Sequence, residues 1–407
     1  MDDTSVPNPK PRFFRSNRGR KLVLWLSYFF FWGGAAAILP YIAVYFESIN
    51  LTGRQIGQLT SIPFFVVMVS SVAFGFIADL SKRNKLLLRL CTAGLIIILF
   101  IYPNASSFRA LVPVVLLYSI FHTPTNPILD ETTLSVLDNP ENYGKYRVGG
   151  SIGWGLMVLL SGFLIGNLGI GIRVIFYLNI LYMVVFFFLI SVIPTAEPRP
   201  DQAREEVSLK KLAQAVSRPG FLFLFLLIVI WGLGEATISN YLFLHIKHLG
   251  GSSVLMGTAL AISLVGEVLT FSLASKIQAK LGPFRMILLA FVVLIAWLGM
   301  LSQVKNPNAI PLFQIFGGAG FALMHSGSVA YVNKRAPKGL GTTAQALRGG
   351  IYAGLGNGVG TLIGGALYEF YGTLPLFRTM ALIELAGLAA GILIFVWDRR
   401  RRSAVKQ

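Results

Sequence analysis

Between His122 and Trp154 the sequence places a His, two acids and an Arg where apolar runs would otherwise continue. It reads His122-Thr-Pro-Thr-Asn126-Pro-Ile-Leu-Asp130-Glu131, then a short polar turn, then Tyr143-Gly-Lys-Tyr-Arg147-Val-Gly-Gly-Ser151-Ile-Gly-Trp154. At about 100° per residue His122, Asn126, Asp130 and Thr133 share one helical face, with Glu131 about a quarter turn away. Arg147, Ser151 and Trp154 share a face of the next run, so a cation and an aromatic platform lie one run away from a carboxylate. A charge in mid-bilayer costs roughly 2.5 to 3.5 kcal/mol on insertion scales, so such a set points to a polar path for a solute or an ion. The plainer alternative is an Asp130 to Arg147 pair at the helix ends. Trp154 and the small-residue seam Gly149-xxx-Gly153, which allows close helix approach, favour a cavity.

A related stretch recurs about 200 residues later, as expected if one half of the chain were duplicated with a polar path between the halves. His325 lies in an apolar run, a basic turn follows (Asn333 to Lys338), and Arg348-Gly-Gly opens a Gly-rich run. Trp231, Glu235 and Ser239 line one face of the seventh run, and Ser263, Glu267 and Thr270 or Phe271 one face of the eighth. No Lys or Arg lies within a turn of Glu235 or Glu267. Apolar surroundings disfavour the charged form of such an acid, which suits a group that binds and releases a proton. Glu267 is the leading candidate, against the alternative of a neutral acid hydrogen-bonded between helices. Gln314, Gly318, Phe321, His325 and Ser328 form a stripe in which His325 is either a site residue or a satisfied structural one. The ridge Gly356-xxx-Gly360-xxx-Gly364 reads as packing, Glu384 as peripheral to the site, and His245 with His248 as a weak metal case.

These residues need elements to hold them in hydrocarbon. The chain has 407 residues, 55% hydrophobic and 13% charged, with mean hydropathy +0.68. A soluble domain carries about 25% charge, so this is an integral membrane protein. The net charge of +18 does not imply nucleic acid, because the basic residues sit in turns between apolar runs and not on a soluble face. A single cysteine, Cys91, excludes an intrachain disulfide and any CxxC site. Twelve runs, each long enough to cross about 30 Å of hydrocarbon as a helix, cover approximately 22–46, 54–77, 86–103, 109–137, 147–170, 173–194, 220–246, 254–278, 284–303, 309–332, 343–369 and 376–397. The expected fold is all-α and membrane-integral, with twelve transmembrane helices in two pseudo-symmetric six-helix bundles.

Five segments follow: a basic N-terminus (1–21), an N-terminal bundle (22–194), a linker (195–219), a C-terminal bundle (220–397) and a basic C-terminus (398–407). In the linker, Leu209 to Val216 has the spacing of a short surface helix. Lys and Arg number about 28 on the terminus-bearing side against about 6 on the other, so the positive-inside rule puts both termini in the cytoplasm of a plasma-membrane protein. There is no phosphate loop, no HExxH, no GxSxG and no soluble domain large enough to hydrolyse ATP. No cofactor or metal is expected, and energy for uphill movement would come from a proton gradient.

After the second run, Gly75-Phe-Ile-Ala-Asp79-Leu-Ser-Lys82-Arg83 resembles the loop signature of the major facilitator superfamily, with Leu80 and Lys82 departing from its pattern. Further pieces are Gly144-Lys-Tyr-Arg147 through Gly153-Trp154, Leu249-Gly250 through Gly266-Glu267, Thr342 to Leu347, and Gly354 to Gly360. Over nearly its full length the chain thereby resembles the branch containing lactose permease, the nucleoside proton symporters and the phenylpropionate permeases. The resemblance implies that Arg147 and Trp154 hold and stack on the solute, that Asp130 or Glu131 pairs with Arg147, and that Glu267 and His325 join solute and proton. Two departures stand out: Ser328 replaces an acid that follows the His in lactose permease, and no Arg lies within the apolar part of the ninth run.

The expected activity is alternating-access transport of a small organic solute (sugar, nucleoside or aromatic acid) by proton symport, with proton-driven drug or metabolite efflux as the alternative. Solute contact is assigned to Arg147, Trp154, Asn126, Trp231 and Glu267. Proton coupling is assigned to Asp130, Glu131, Glu235, Glu267 and His325, and the cytoplasmic gate to Gly75, Asp79 and Arg83. The partners are the small-molecule solute, protons and the lipid bilayer; the chain is expected to work as a monomer, and an enzyme is not expected, since no nucleophile and base come together.

Overall fold

The computed structural model describes residues 17–81, 84–137, 143–193, 219–336 and 341–404, and among these all extended regular structure is helical. The first span consists of α1 (Asn17–Ile38) and α2 (Ile42–Ser48), broken around Pro40. Then come α3 (Gly53–Ser81), α4 (Asn84–Ile101), the fourth span as α5 (Phe108–His122) with α6 (Thr125–Val136), α7 (Tyr143–Gly166) and α8 (Val174–Val192). The second half repeats the count with α9 (Pro219–His248), α10 (Ser253–Leu281), α11 (Pro283–Leu301) and α12 (Ile310–Arg335). Its eleventh span is α13 (Gly341–Gly350), a π-turn (Ile351–Asn357) and α14 (Gly358–Tyr371), and α15 (Thr373–Ala404) closes the fold.

Among the described residues nine helical stretches are long and apolar enough to cross a membrane by composition and length. The fourth and eleventh spans are divided into shorter helices by Thr123–Pro124 and by the π-turn. A proline removes a backbone donor and clashes with the preceding turn, and such breaks survive in hydrocarbon where neighbouring helices cover the freed groups. Large apolar side chains remain exposed around the outside, including Leu393, Leu312 and Phe188, as a lipid-facing surface requires.

The packing repeats with a period of six spans. The first packs on the fifth and the seventh on the eleventh; the second packs on the fourth and the eighth on the tenth; the third packs on the sixth and the ninth on the twelfth. Glycine makes the closest of these contacts. A Cβ at Gly149 or Gly153 would overlap the backbone carbonyls of Trp25 or Phe29 in α1, so the seam read from the sequence is the α1–α7 contact. In the other half Gly356 meets Gly232 backbone to backbone, Gly360 meets Leu233, and Gly318 fits against the Ser263 carbonyl. Without a hydrophobic drive between helices in lipid, this close van der Waals approach is what holds them together.

The halves meet through the second span on the eleventh and the fifth on the eighth. Gly75 and Asp79 lie on α3, but their side chains and all of Arg83 lie outside the described residues, as do most of the N-terminal segment and the linker with its expected surface helix.

Gly153→Leu tests the seam. Overpacking costs about 1–3 kcal/mol, so the variant should melt several degrees below wild type in detergent, read by fluorescence-detected size-exclusion chromatography after heating. An unchanged midpoint would remove this contact from those that hold the N-terminal half together.

Candidate functional site

The polar residues of the first, fourth and fifth spans converge inside the N-terminal half. Asp130 Oδ1 accepts a hydrogen bond from the Tyr28 hydroxyl at 2.7 Å, and its Oδ2 accepts one from Asn126 Nδ2 at 3.1 Å. Tyr143 stands edge-on to Tyr28, with 6.2 Å between ring centroids, and faces the same carboxylate. Asn126 and Asp130 are one turn apart on α6, as the periodicity requires. His122 does not join them. The break at Thr123–Pro124 intervenes, and its ring stacks between Phe31 (5.2 Å) and Tyr118 (5.4 Å). Glu131 is exposed and apart from this network.

Arg147 takes an aromatic partner in place of a carboxylate. Its guanidinium lies over the Trp32 ring at 4.7 Å from the centroid and near the Tyr28 ring at 5.7 Å. Among the described residues it makes no ion pair, so the Asp130 to Arg147 pairing implied by the resemblance is absent here. Gly150 makes the stack possible, since a Cβ there would run into Trp32 and the guanidinium. Trp154 continues the aromatic surface, its ring 6.0 Å from Trp32. A cation held on an indole face keeps its N–H donors free for a solute. Tyr28 and Trp32 were not singled out by the sequence reading, because they sit inside an aromatic-rich apolar run, Tyr28-Phe-Phe-Phe-Trp32. Their spacing of four residues is the signal that could have found them.

The C-terminal half contributes carboxyls. Glu235 accepts from Ser239 Oγ at 2.9 Å and from the Tyr352 hydroxyl at 3.0 Å, and Tyr352 sits in the π-turn. Trp231, 1% exposed, lies behind it with its ring 6.0 Å from that of Tyr352. It is a wall of the half and not an open platform. Glu267 on α10 is half-buried and lies near enough to feel the Arg147 charge across the boundary between the halves. His325 is exposed between Phe321 (5.7 Å) and Phe271 (6.0 Å). It lines a cavity of about 1100 Å³ with Phe271, Ser275, Gln278, Asn333 and Lys334 on the terminus-bearing side of α10 and α12. Arg348 is tied to Gln345 (2.9 Å) and Ser328 (3.2 Å). Among the described residues no group of three His, Cys, Asp or Glu could hold a metal.

Two halves of six spans, repeated packing and a polar constellation at their boundary describe an architecture that the sequence pattern of the MFS_1 like family matches over residues 22–379. The chain belongs to this family of major facilitator superfamily transporters. A maltose permease of Geobacillus stearothermophilus is 28% identical, over 95% of this chain and 96% of its own length. The multidrug resistance protein MdtG of Escherichia coli is 22% identical and covers 95% of both chains. Among solved structures, the nucleoside transporter NupG superposes with a TM-score of 0.81 at 17% identity, over 92% of this chain and 99% of that one. A bacterial homologue of the human lysosomal transporter Spinster follows with a TM-score of 0.74 at 15% identity, over 95% and 97%. The protein is thus a multi-pass secondary transporter of the major facilitator fold, in a family of transporters and not of enzymes.

In this conformation the transporter is closed on the side away from its termini. A Cβ on Gly162 would overlap the Ser253 carbonyl, and Gly53 and Gly57 meet Gly365 and its neighbours on α14. Above them Glu47 of the first span is held by Lys247, by His248 Nε2 (2.8 Å) and by the Tyr368 hydroxyl. His248 stacks on Tyr368 at 5.8 Å. The Arg54 backbone N–H donates to Glu369 at 2.7 Å. The histidines that the spacing offered as a weak metal pair go to separate partners, His245 to Thr373 and His248 to this clasp.

Arg147→Ala should abolish transport while membrane abundance stays at the wild-type level, because no ion pair is broken. Normal uptake by that variant would take Arg147 out of the site. Glu47→Gln should loosen the far-side clasp. The pair is 20% and 42% exposed, so the effect is about 1 kcal/mol, or about fivefold in the closed population. Maleimide labelling of a Val158→Cys reporter beneath the clasp should rise by that factor, and equal labelling in both backgrounds would show that other contacts close this side.

Proposed function

We propose that the chain is a proton symporter of a small polar organic solute, with sugars as the first class to test. The observation that carries this reading is the Arg147 guanidinium, laid on Trp32 beside Trp154 with its donors unspent, facing Glu267 of the other half. Planar donors beside aromatic faces suit the alternating hydroxyl edges and apolar faces of a sugar ring. Asn126, Asp130 and the tyrosines complete the polar wall. The maltose permease relative supports the class.

Solute bound between the halves would be released by rocking of one six-span unit against the other, opening the far-side clasp in one state and the gate at Gly75, Asp79 and Arg83 in the other. We place both termini in the cytoplasm, the segment boundaries as read from the sequence, and the working unit as a monomer in the plasma membrane. Glu267, beside Arg147 yet unpaired, is assigned the coupling proton. Glu235, Asp130, Glu131 and His325 remain its assigned partners along the path, with Glu131 the least supported by its exposed position.

Proton-driven efflux of organic cations is the second reading. It is favoured by Glu235 and Glu267, which among the described residues have no basic partner within hydrogen-bond reach, and by the match to MdtG over 95% of both chains.

The test is external pH in a weakly buffered suspension of expressing cells during additions of maltose, uridine, phenylpropionate and a cationic dye, with Asp130→Asn as control. Alkalinisation with one nutrient class, absent in the control, supports symport and names the class. Silence for all nutrients with energy-dependent dye exclusion would replace it by efflux. Glu267→Gln should still exchange solute but lose accumulation against a gradient; a variant that accumulates normally would clear Glu267 of the coupling role.

A further inference from the structure

The sequence reading sets Glu384 peripheral to the site, and the structure buries it completely in the C-terminal half. Its Oε1 accepts the backbone N–H of Gly234 on α9 at 3.1 Å. A Cβ at Gly234 would overlap that carboxyl, so the seventh span carries a glycine where Glu384 needs room. The other oxygen, Oε2, is buried and has no hydrogen-bond partner. Among the described residues no Lys, Arg or His pairs with it.

Among the described residues no charged group on the elements around α15 pairs with it: on α9, His245 is bonded to Thr373, and Lys247 and His248 hold Glu47. From α9 the nearest titratable group in sequence is Glu235, which is engaged with Ser239 and Tyr352. The charged residue of α11, Arg285, lies over Phe395, and that of α14, Glu369, accepts the backbone N–H of Arg54. A carboxylate held there would be an uncompensated buried charge, a far larger penalty than a neutral group incurs. The carboxyl therefore carries its proton in this conformation, and its O–H has no acceptor.

A side chain needed only for packing or for the Gly234 hydrogen bond would not have to be ionisable. We propose that Glu384 is a second proton-binding site of the transport cycle, seated against Gly234, the residue that precedes Glu235 on the seventh span. It rests on the proton-symport reading above. When the far side opens, the carboxylate takes a proton from water there, and the O–H bond at Oε2 is kept as the far side closes. Before the halves rock back, that bond breaks to water admitted from the terminus-bearing side, leaving a hydrated carboxylate in the space that Gly234 provides. The carrier returns deprotonated, so one proton crosses per cycle at this residue in the same direction as the solute.

Two readouts decide it. In proteoliposomes with an imposed pH gradient and radiolabelled maltose, wild type accumulates the sugar. Glu384→Gln, of matched shape, should bring the steady-state ratio down to unity while solute exchange persists, and Glu384→Asp should restore part of the ratio. Full accumulation by Glu384→Gln overturns the proposal. If wild type itself fails to accumulate maltose, the symport reading falls for that solute, and infrared spectroscopy of the purified wild-type protein decides Glu384 alone. The protonated-carboxyl band that Glu384→Gln removes must fade in wild type between mildly acidic and mildly alkaline buffer. A band that persists unchanged until the protein unfolds overturns the proposal.

Discussion

Hydrocarbon offers no hydrogen-bond partner to a backbone amide or to a charged side chain, and this chain meets that constraint by bringing helices into backbone contact at glycines. Each close approach, Gly153 on Phe29, Gly318 on Ser263, Gly356 on Gly232, turns a polar face away from lipid and toward another helix. Once α7 lies against α1, Trp32 and Tyr28 are carried to Arg147, and the guanidinium finds an aromatic surface without a carboxylate. The site thus follows from the packing. An ion pair between Asp130 and Arg147 would have neutralised both groups and left neither for a solute. The observed arrangement satisfies Asp130 with two neutral donors and leaves the cation's N–H groups unspent.

The same contacts define what can move. Within each half the glycine seams are backbone to backbone and leave little room for sliding. Between the halves the contacts concentrate on the second span with the eleventh and the fifth with the eighth, and on the clasp around Glu47. The clasp is part-exposed and ionic, so it can exchange its partners for water at modest cost. The glycine contacts that also close this side, Gly162 on Ser253 and Gly57 on Gly365, part with the clasp when the halves rock. In the proposed cycle the seams within each half stay packed, so each six-span half moves as a rigid body and the far side is a gate.

Much of the fold was legible because its signals are long. Twelve apolar runs, a basic bias on one side and a half-chain repeat each integrate over many residues, and the structure places twelve spans where they were read. The glycine ridge of the eleventh span was likewise read as packing, and it packs on the seventh. What escaped were features set by one bond or by another helix. His122 shares a calculated face with Asn126, but Pro124 breaks the helix between them, so its ring packs between Phe31 and Tyr118. Tyr28 and Trp32 are disguised by their aromatic neighbours, and only the approach of α7 reveals which two of them face a polar group. Glu384 was read as peripheral to the site, and its own helix gives no sign of its burial; the room for its carboxyl is made by a glycine 150 residues earlier in the chain.

The two halves also differ in electrostatic character, and that difference bears on the choice between uptake and efflux. The N-terminal half presents a guanidinium with no ion pair among the described residues, while the C-terminal half presents Glu235, bound to hydroxyl donors, and Glu267, which feels the Arg147 charge across the boundary. An organic cation would gain from the acids but would meet the half-buried Arg147 at close range, where like charges repel more strongly than in water. A neutral polyol incurs no such penalty and can accept from the guanidinium while donating to a carboxylate, so both halves hold it at once. That bridging is what a rocking mechanism needs, since a solute bound by one half alone would not influence how the two halves move. In the proposed uptake reading, the opposed charges of Arg147 and Glu267 would favour a polar, uncharged or zwitterionic solute over a cationic one.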